Sequence, residues 1–287
     1  MNFLTPSELE AACGASYSRY MDRLYGLWLA AGHPDVDENG RPRSRRIDDK
    51  QRAALMYERL GGLAAKVPGD AWHTDCYSPR SSQALVVEVM GLLAAADSLH
   101  LVIGMHDVSL GFEEVHGRTN FDVTFRSRTN EVVATLEAKF TEEGFGKCSY
   151  PGKGRCDGSW RPRDGVHRGC PMGEPLANRA TADRYWDAAV ELFRLNAAPP
   201  APPITCPIWA AYQMVHNVAE TRALNPTATW TLLYDDRNPY FGNPTYGWAK
   251  KLSELSSTIR VLSWQELLPA ASDRGCRVHH LIAMHGF

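Results

Sequence analysis

The stretch SQALVVEVMGLLAAAD, residues 82–97, constrains the fold more than any other part of the chain. Between Ala84 and Ala96 it carries one charge, Glu88. Read as a helix, it is apolar nearly all the way round and must be buried on most sides. A helix of that kind needs a sheet or several other helices packed over it, and 287 residues are ample to supply them. The next segments read as a sheet. HLVIGM, VSLGFEEV, TNFDVTF and EVVATLEAKF are short apolar or alternating runs separated by turn residues, with RSRTN (126–130) turning between the last two.

Further along, helical patterns at 178–195 and 207–223 precede a strand, TATWTLLYDD. A helix at 246–256 then leads to a second strand, TIRVLSW. The order of helix, several strands, helices, then strand–helix–strand predicts a mixed α/β or α+β domain around one central sheet. Residues 5–31 read as a helix capped by Thr5, with Pro6 in the first turn and Glu8 closing a capping box. A polar loop, HPDVDENGRPRSRRIDDKQR, runs into a helix near 48–60. Residues 1–80 are therefore expected to form an N-terminal helical extension to a domain spanning 81–287.

The net charge of −2 gives no overall field attractive to nucleic acid, so such binding must come from a local basic patch. No basic, apolar leader is visible, and no stretch approaches the ~20 apolar residues of a membrane span. The expectation is a cytoplasmic protein without a membrane partner.

The strand alternation carries the chemistry. In an extended strand, residues i and i+2 share a face. Phe121, Val123 and Phe125 then share one face, with Asp122 and Thr124 on the other. Val132, Ala134, Leu136 and Ala138 share a face, with Val133, Thr135, Glu137 and Lys139 opposite. If RSRTN pairs the two strands, Asp122, Glu137 and Lys139 meet at one place. Two carboxylates suit a hard cation such as Mg²⁺ or Mn²⁺, which polarises a phosphoryl oxygen and lowers the pKa of a bound water. A lysine beside them offsets charge that builds in a transition state. Glu88 either faces the same metal or sits on a narrow solvent-facing stripe.

Asp122 followed by "EAK" at Glu137–Lys139 on paired strands resembles the PD-(D/E)XK nuclease superfamily. The segments SSQAL, NFDVTF, LEAKFTEEGFGKC, CPIWAAYQMVHN, YDDRNPYF and LSWQEL, in that order, resemble a bacterial family of restriction-endonuclease-like nucleases within it. The resemblance implies a central mixed four- or five-stranded sheet flanked by helices, and metal-dependent DNA cleavage at one sheet edge. It makes Asp122 and Glu137 metal ligands and Lys139 the catalytic lysine. Gln213 matches the polar helix position that follows the E-x-K strand in RecB-like nucleases. Phe121 stands where the superfamily name has proline, and His216 stands where an arginine is expected to meet phosphate.

Residues 141–176 form an insertion rich in Gly, Pro, Arg and Cys, with no periodicity. A loop this long inside a domain signals function or a bound metal. Cys148, Cys156 and Cys170, with Cys206 further on, could form a four-thiolate site for Zn²⁺ or a [4Fe-4S] cluster, with His167 as a substitute ligand. Unlinked cysteines are the alternative. Two basic groups could hold DNA phosphates. One is Arg41, Arg43, Arg45, Arg46, Lys50 and Arg52. The other is Lys147, Lys153, Arg155, Arg161, Arg163 and Arg168, interleaved with Tyr150 and Trp160. The leading expectation is a Mg²⁺-dependent DNA endonuclease. A non-catalytic nucleic-acid-binding or complex-capping module and a cysteine-based redox protein are the rivals, and a homodimer is left open.

Overall fold

A computed structural model describes residues 4–44, 47–116, 119–149, 151–154, 156–159, 179–194 and 205–287. Among these, one sheet runs in the order β1 (Ser109–His116), β2 (Thr119–Arg126), β3 (Val132–Lys139), β4 (Thr229–Tyr234) and β5 (Ile259–Ser263). The first three strands form an antiparallel meander, and β3, β4 and β5 run parallel. The sheet is therefore mixed and five-stranded, flanked by helices, as the resemblance implied. Parallel neighbours need a crossover. Between β3 and β4 it includes α5 (Arg179–Leu192) and α6 (Tyr212–Leu224). Between β4 and β5 it includes α7 (Pro239–Gly242) and α8 (Trp248–Ser253).

Two apolar layers sandwich the sheet. On one side, α3 (Ser82–Ala95) packs with α9 (Trp264–Asp273) and α10 (His279–His285) against Val123, Phe125, Ala134 and Leu136. These four residues come from the faces that the alternation predicts. On the other side, α5, α6 and α8 pack with Trp230, Leu232 and Ile259. The N-terminal helix α1 (Pro6–Ala30) serves both layers: Leu9 and Cys13 join the second, Tyr20, Leu24 and Trp28 the first. Its start follows from the sequence. The Thr5 hydroxyl accepts from the Glu8 amide at 3.2 Å, and the Glu8 carboxylate accepts from the Thr5 amide at 2.7 Å. A second helix, α2 (Asp49–Leu60), places Met56 and Leu60 in the first layer.

One strand expectation fails. HLVIGM is not extended; His100–Ile103 form a short helix, α4. Leu99, Val102 and Ile103 are the buried positions. Their 3,4 spacing is helical, and a run this short cannot be assigned by apolarity alone. Gly104, in the left-handed region at φ 74°, ends the turn.

Candidate active site

The strand registers align three carboxylates. Val123 pairs with Leu136 and Thr124 with Thr135, so one further step sets Asp122 opposite Glu137. Phe112 pairs with Val123 and Glu114 with Phe121, which sets Glu113 opposite Asp122 on the other side. Glu113, Asp122 and Glu137 thus hold neighbouring positions on three adjacent strands, roughly 5 Å from one strand to the next. All three are nearly closed to solvent, at 3, 8 and 1% exposure. Like charges facing one another across strands are unfavourable unless something compensates them.

Each acid is held differently. Asp122 Oδ2 accepts from the Ala138 amide at 2.7 Å, so the acid satisfies a β3 backbone donor. Glu137 Oε1 accepts from Lys139 Nζ at 2.6 Å and from Gln213 Nε2 at 2.7 Å, and its Oε2 accepts from Asn217 Nδ2 at 2.6 Å. Lys139 Nζ also donates to Gln213 Oε1 at 3.0 Å. Gln213 and Asn217 are four residues apart on α6, so one helix face delivers both amides. Asn217 is fixed in turn by the Thr119 hydroxyl, which donates to its Oδ1 at 3.1 Å. These groups line a cleft of about 370 Å³ that also exposes Ser82, Glu142 and Tyr212.

The electrostatics follow from burial and crowding. Burial pushes the Asp122 carboxyl well above the usual carboxylate range, and the Glu137 and Glu113 charges push it the same way. Glu113 is raised to about 7, by burial and by Glu137, against a hydrogen bond from Gln83. For Lys139, burial opposes the charge, but Glu137, Glu142 and Asp122 outweigh it and hold its pKa above the ordinary lysine value. Lys139 is an ammonium at neutral pH and no general base there.

The donor set suits a hard divalent cation. It offers carboxylate oxygens from Glu113, Asp122 and Glu137, buried side by side on adjacent strands, and such oxygens are the donors a hard divalent cation takes. Among the described residues no three His, Cys, Asp or Glu side chains already stand as a closed ligand set. Glu137 is engaged by Lys139, Gln213 and Asn217, and one Asp122 oxygen by a backbone amide. The chemistry of the residues fits Mg²⁺ or Mn²⁺.

Of the residues predicted from sequence, Asp122, Glu137, Lys139 and Gln213 are brought together in this cleft. Glu88 is not: its carboxylate lies 2.6 Å from His280 Nε2 on α10 and 3.7 Å from Arg59 Nη2 on α2. A solvent-side ion pair takes the place of the metal contact considered for it. His216 lines the cleft, with its ring 3.9 Å from Tyr185 and 4.3 Å from Tyr212. Neither Glu113 nor Asn217 is marked out by the strand alternation or by the resemblance. Asn217 follows Gln213 by four residues, and that spacing was the available signal. Glu113 is one of two adjacent acids, so alternation alone assigns neither to a face.

Cys148, Cys156 and Cys206 lie on neighbouring backbone. The Cys148 amide donates to the Trp209 carbonyl, and the Cys206 amide to the Gly158 carbonyl, at 2.9 and 2.8 Å. Cys170 and His167 lie outside the described residues, as do Arg45, Arg46, Tyr150, Arg155, Trp160, Arg161, Arg163 and Arg168. Arg52 is used structurally, donating to the Trp72 carbonyl at 2.8 Å and pairing with Asp49 at 3.1 Å. Arg43 lines a second groove with Arg80, which meets the acidic cleft at His73, Ser82 and Glu142.

With the paired strands, the acid row and the lysine in place, comparison with known families is decisive. The model of a family described as "Restriction Endonuclease associating with ARP" matches residues 65–283. The chain belongs to this family. The match spans all five strands, and with them α3 and α6, which together with β1, β2 and β3 supply the residues of the cleft. Membership in a restriction-endonuclease family agrees with the resemblance read from the EAK strand and suggests nuclease activity. No curated protein and no solved structure matches the chain. Among the described residues, no helix is long and apolar enough to cross a membrane.

Proposed function

We propose that this chain is a Mg²⁺-dependent DNA endonuclease that hydrolyses phosphodiester bonds at the cleft between β2, β3 and α6. The observation that carries the reading is the convergence of Asp122, Glu137 and Lys139 from paired strands. In the hydrolysis, a water oxygen forms a new bond to phosphorus while a P–O ester bond breaks, the water gives up a proton to solvent, the leaving oxygen takes one up from solvent, and negative charge builds on the phosphoryl oxygens in between. Asp122 and Glu137 would hold the cation, which supplies charge compensation for the acids and Lewis acidity for a phosphoryl oxygen. Lys139, kept protonated by its neighbours, donates hydrogen bonds from Nζ toward the attacking water and the charged oxygens. Gln213 bonds Glu137 and Lys139 at once, so it fixes the spacing between acid and ammonium. Asn217 locks the second Glu137 oxygen.

Arg43 and Arg80, in the groove that meets the cleft, supply positive charge for flanking phosphates. Backbone hydrogen bonds tie the Cys148 segment to Trp209 and the Cys206 segment to Gly158, near Cys156, which supports the reading that these cysteines, with Cys170, would hold a structural Zn²⁺ or [4Fe-4S] group. The test is cleavage of supercoiled plasmid by the full chain in Mg²⁺. Wild type cuts or nicks it, EDTA stops the reaction, and Glu137→Ala and Lys139→Ala are inactive with unchanged circular dichroism. Equal cutting by wild type and both variants would assign the activity to a contaminant.

A further inference from the structure

Glu113 occupies the third place in the acid row, and the protein holds it there by unusual means. Its backbone lies in the left-handed region, φ 51°, which a side chain of this size rarely adopts, in the middle of an otherwise extended strand. It is buried, and among the described residues no basic side chain pairs with it. Its neighbour Glu114 differs: that carboxylate pairs with Arg126 at 2.6 Å. The donor to Glu113 is a neutral amide, Gln83 Nε2, at 2.6 Å.

Gln83 is itself fixed. It sits in the first turn of α3, 1% exposed, with Nε2 also donating to the Ala71 carbonyl at 2.9 Å and Oε1 accepting from the His73 amide at 2.9 Å. Its rotamer is therefore set by backbone groups outside the acid row. An amide in that position steers a carboxylate without cancelling its charge. A lysine or arginine would have neutralised it, as Lys139 does for Glu137.

We propose that Glu113 is a third carboxylate of the divalent-cation site, delivered from β1, and that Gln83 is its positioning residue. The inference rests on the nuclease reading above and adds to it a ligand that neither the EAK pattern nor the family match assigns. It also gives α3 a role at the site through Gln83 at its first turn, rather than through Glu88 in its middle. Partners that orient a metal-binding side chain commonly govern affinity by ten- to a hundredfold.

The experiment is a titration of the full chain with Mn²⁺, free ion being read by electron paramagnetic resonance, for wild type, Asp122→Asn, Glu113→Gln and Gln83→Leu. Wild type binds. Glu113→Gln, nearly isosteric, weakens the Mn²⁺ Kd by about tenfold or more, and Gln83→Leu, which keeps every acid, weakens it by about tenfold. Glu113→Asp, which keeps the charge but shortens the reach, also loses affinity and covers the case in which the Gln variant misfolds. If Glu113→Gln binds within twofold of wild type while Asp122→Asn does not bind, the role of Glu113 is overturned and the nuclease reading stands. If only Gln83→Leu matches wild type, the positioning role is overturned. A wild-type chain that binds no Mn²⁺ overturns this inference and the nuclease reading together.

Discussion

Replacing Asp122 with asparagine should make the metal-free protein more stable while ending its activity. Asp122 is buried between two other acids, and its carboxyl is pushed well above the usual range by burial, then by Glu137 and Glu113. Unit charges ~5 Å apart at an effective dielectric near 20 repel by about 3 kcal/mol. An ionised Asp122 meets such repulsion from Glu137 and, where Glu113 is ionised, from Glu113, with one attraction, from Lys139, opposing them; the folded chain therefore either keeps this charge at a cost of about 3 kcal/mol or holds a proton at a similar cost at pH 7. Asparagine keeps an oxygen to accept the Ala138 amide and removes the charge. The expected gain is therefore about 2–3 kcal/mol at pH 7 in EDTA, or roughly 3–5 °C in Tm for a chain of this length.

The pH dependence has a definite sign. A carboxyl whose folded pKa exceeds its unfolded value keeps its proton in the native state after the unfolded chain has lost it. Wild type should therefore lose stability as pH rises from about 4 toward the folded pKa, by about 1.4 kcal/mol per pH unit. The asparagine variant should lack this component of the slope. Urea denaturation in EDTA across that range, with plasmid cleavage in Mg²⁺ on the same samples, measures both effects. An asparagine variant that is less stable than wild type at pH 7, with an unchanged pH slope, would refute the argument from crowded charge.

Lys139→Met should reduce cleavage by about 10²–10³-fold with the fold intact, the usual cost of losing one donor to developing charge, and a plasmid-nicking time course reads it. Gln213→Ala should weaken Mg²⁺ dependence and rate by about tenfold, since it releases Glu137 and Lys139 together; cleavage at varied Mg²⁺ separates the two effects. His285 is buried neutral, its pKa pressed down to about 3 by burial first and nearby cations second. Below pH 6.5 the unfolded chain gains a proton that the folded chain refuses, so stability falls by about 1.4 kcal/mol per unit toward pH 3. His285→Phe should remove that acid slope while costing about 1–3 kcal/mol at neutral pH, because Trp28 Nε1 loses the Nδ1 acceptor it now reaches at 3.1 Å, so that urea denaturation shows the difference narrowing and then reversing as pH falls toward about 4. Protein purified anaerobically should carry zinc or iron by elemental analysis, and substitution of Cys148 or Cys206 by serine should deplete it.

The sheet could be read from sequence where side-chain alternation is strict. Val132, Ala134, Leu136 and Ala138 alternate with Thr135, Glu137 and Lys139, and the short RSRTN turn leaves the next strand little choice of partner. The meeting of Asp122 with Glu137 and Lys139 followed from that alone. At residues 100–103 three apolar residues, Leu101, Val102 and Ile103, fit either period, and the burial of Leu99, Val102 and Ile103 in the tertiary core decides for helix. Glu113 was hidden because its place depends on the register between β1 and β2, which no local pattern fixes. Glu88 drew attention as a lone charge in an apolar helix. Its partner His280 lies 192 residues away, and only the packing of α10 against α3 reveals it.

The most direct test of the acid row is a crystal of the full chain soaked in Mn²⁺ and measured at the manganese absorption edge. The expected result is one anomalous peak bonded to carboxylate oxygens of Asp122 and Glu137, at roughly the 2.0–2.2 Å of small hard cations. Well-ordered Asp122 and Glu137 side chains with no peak between them, in a crystal that takes up Mn²⁺ elsewhere, would contradict it.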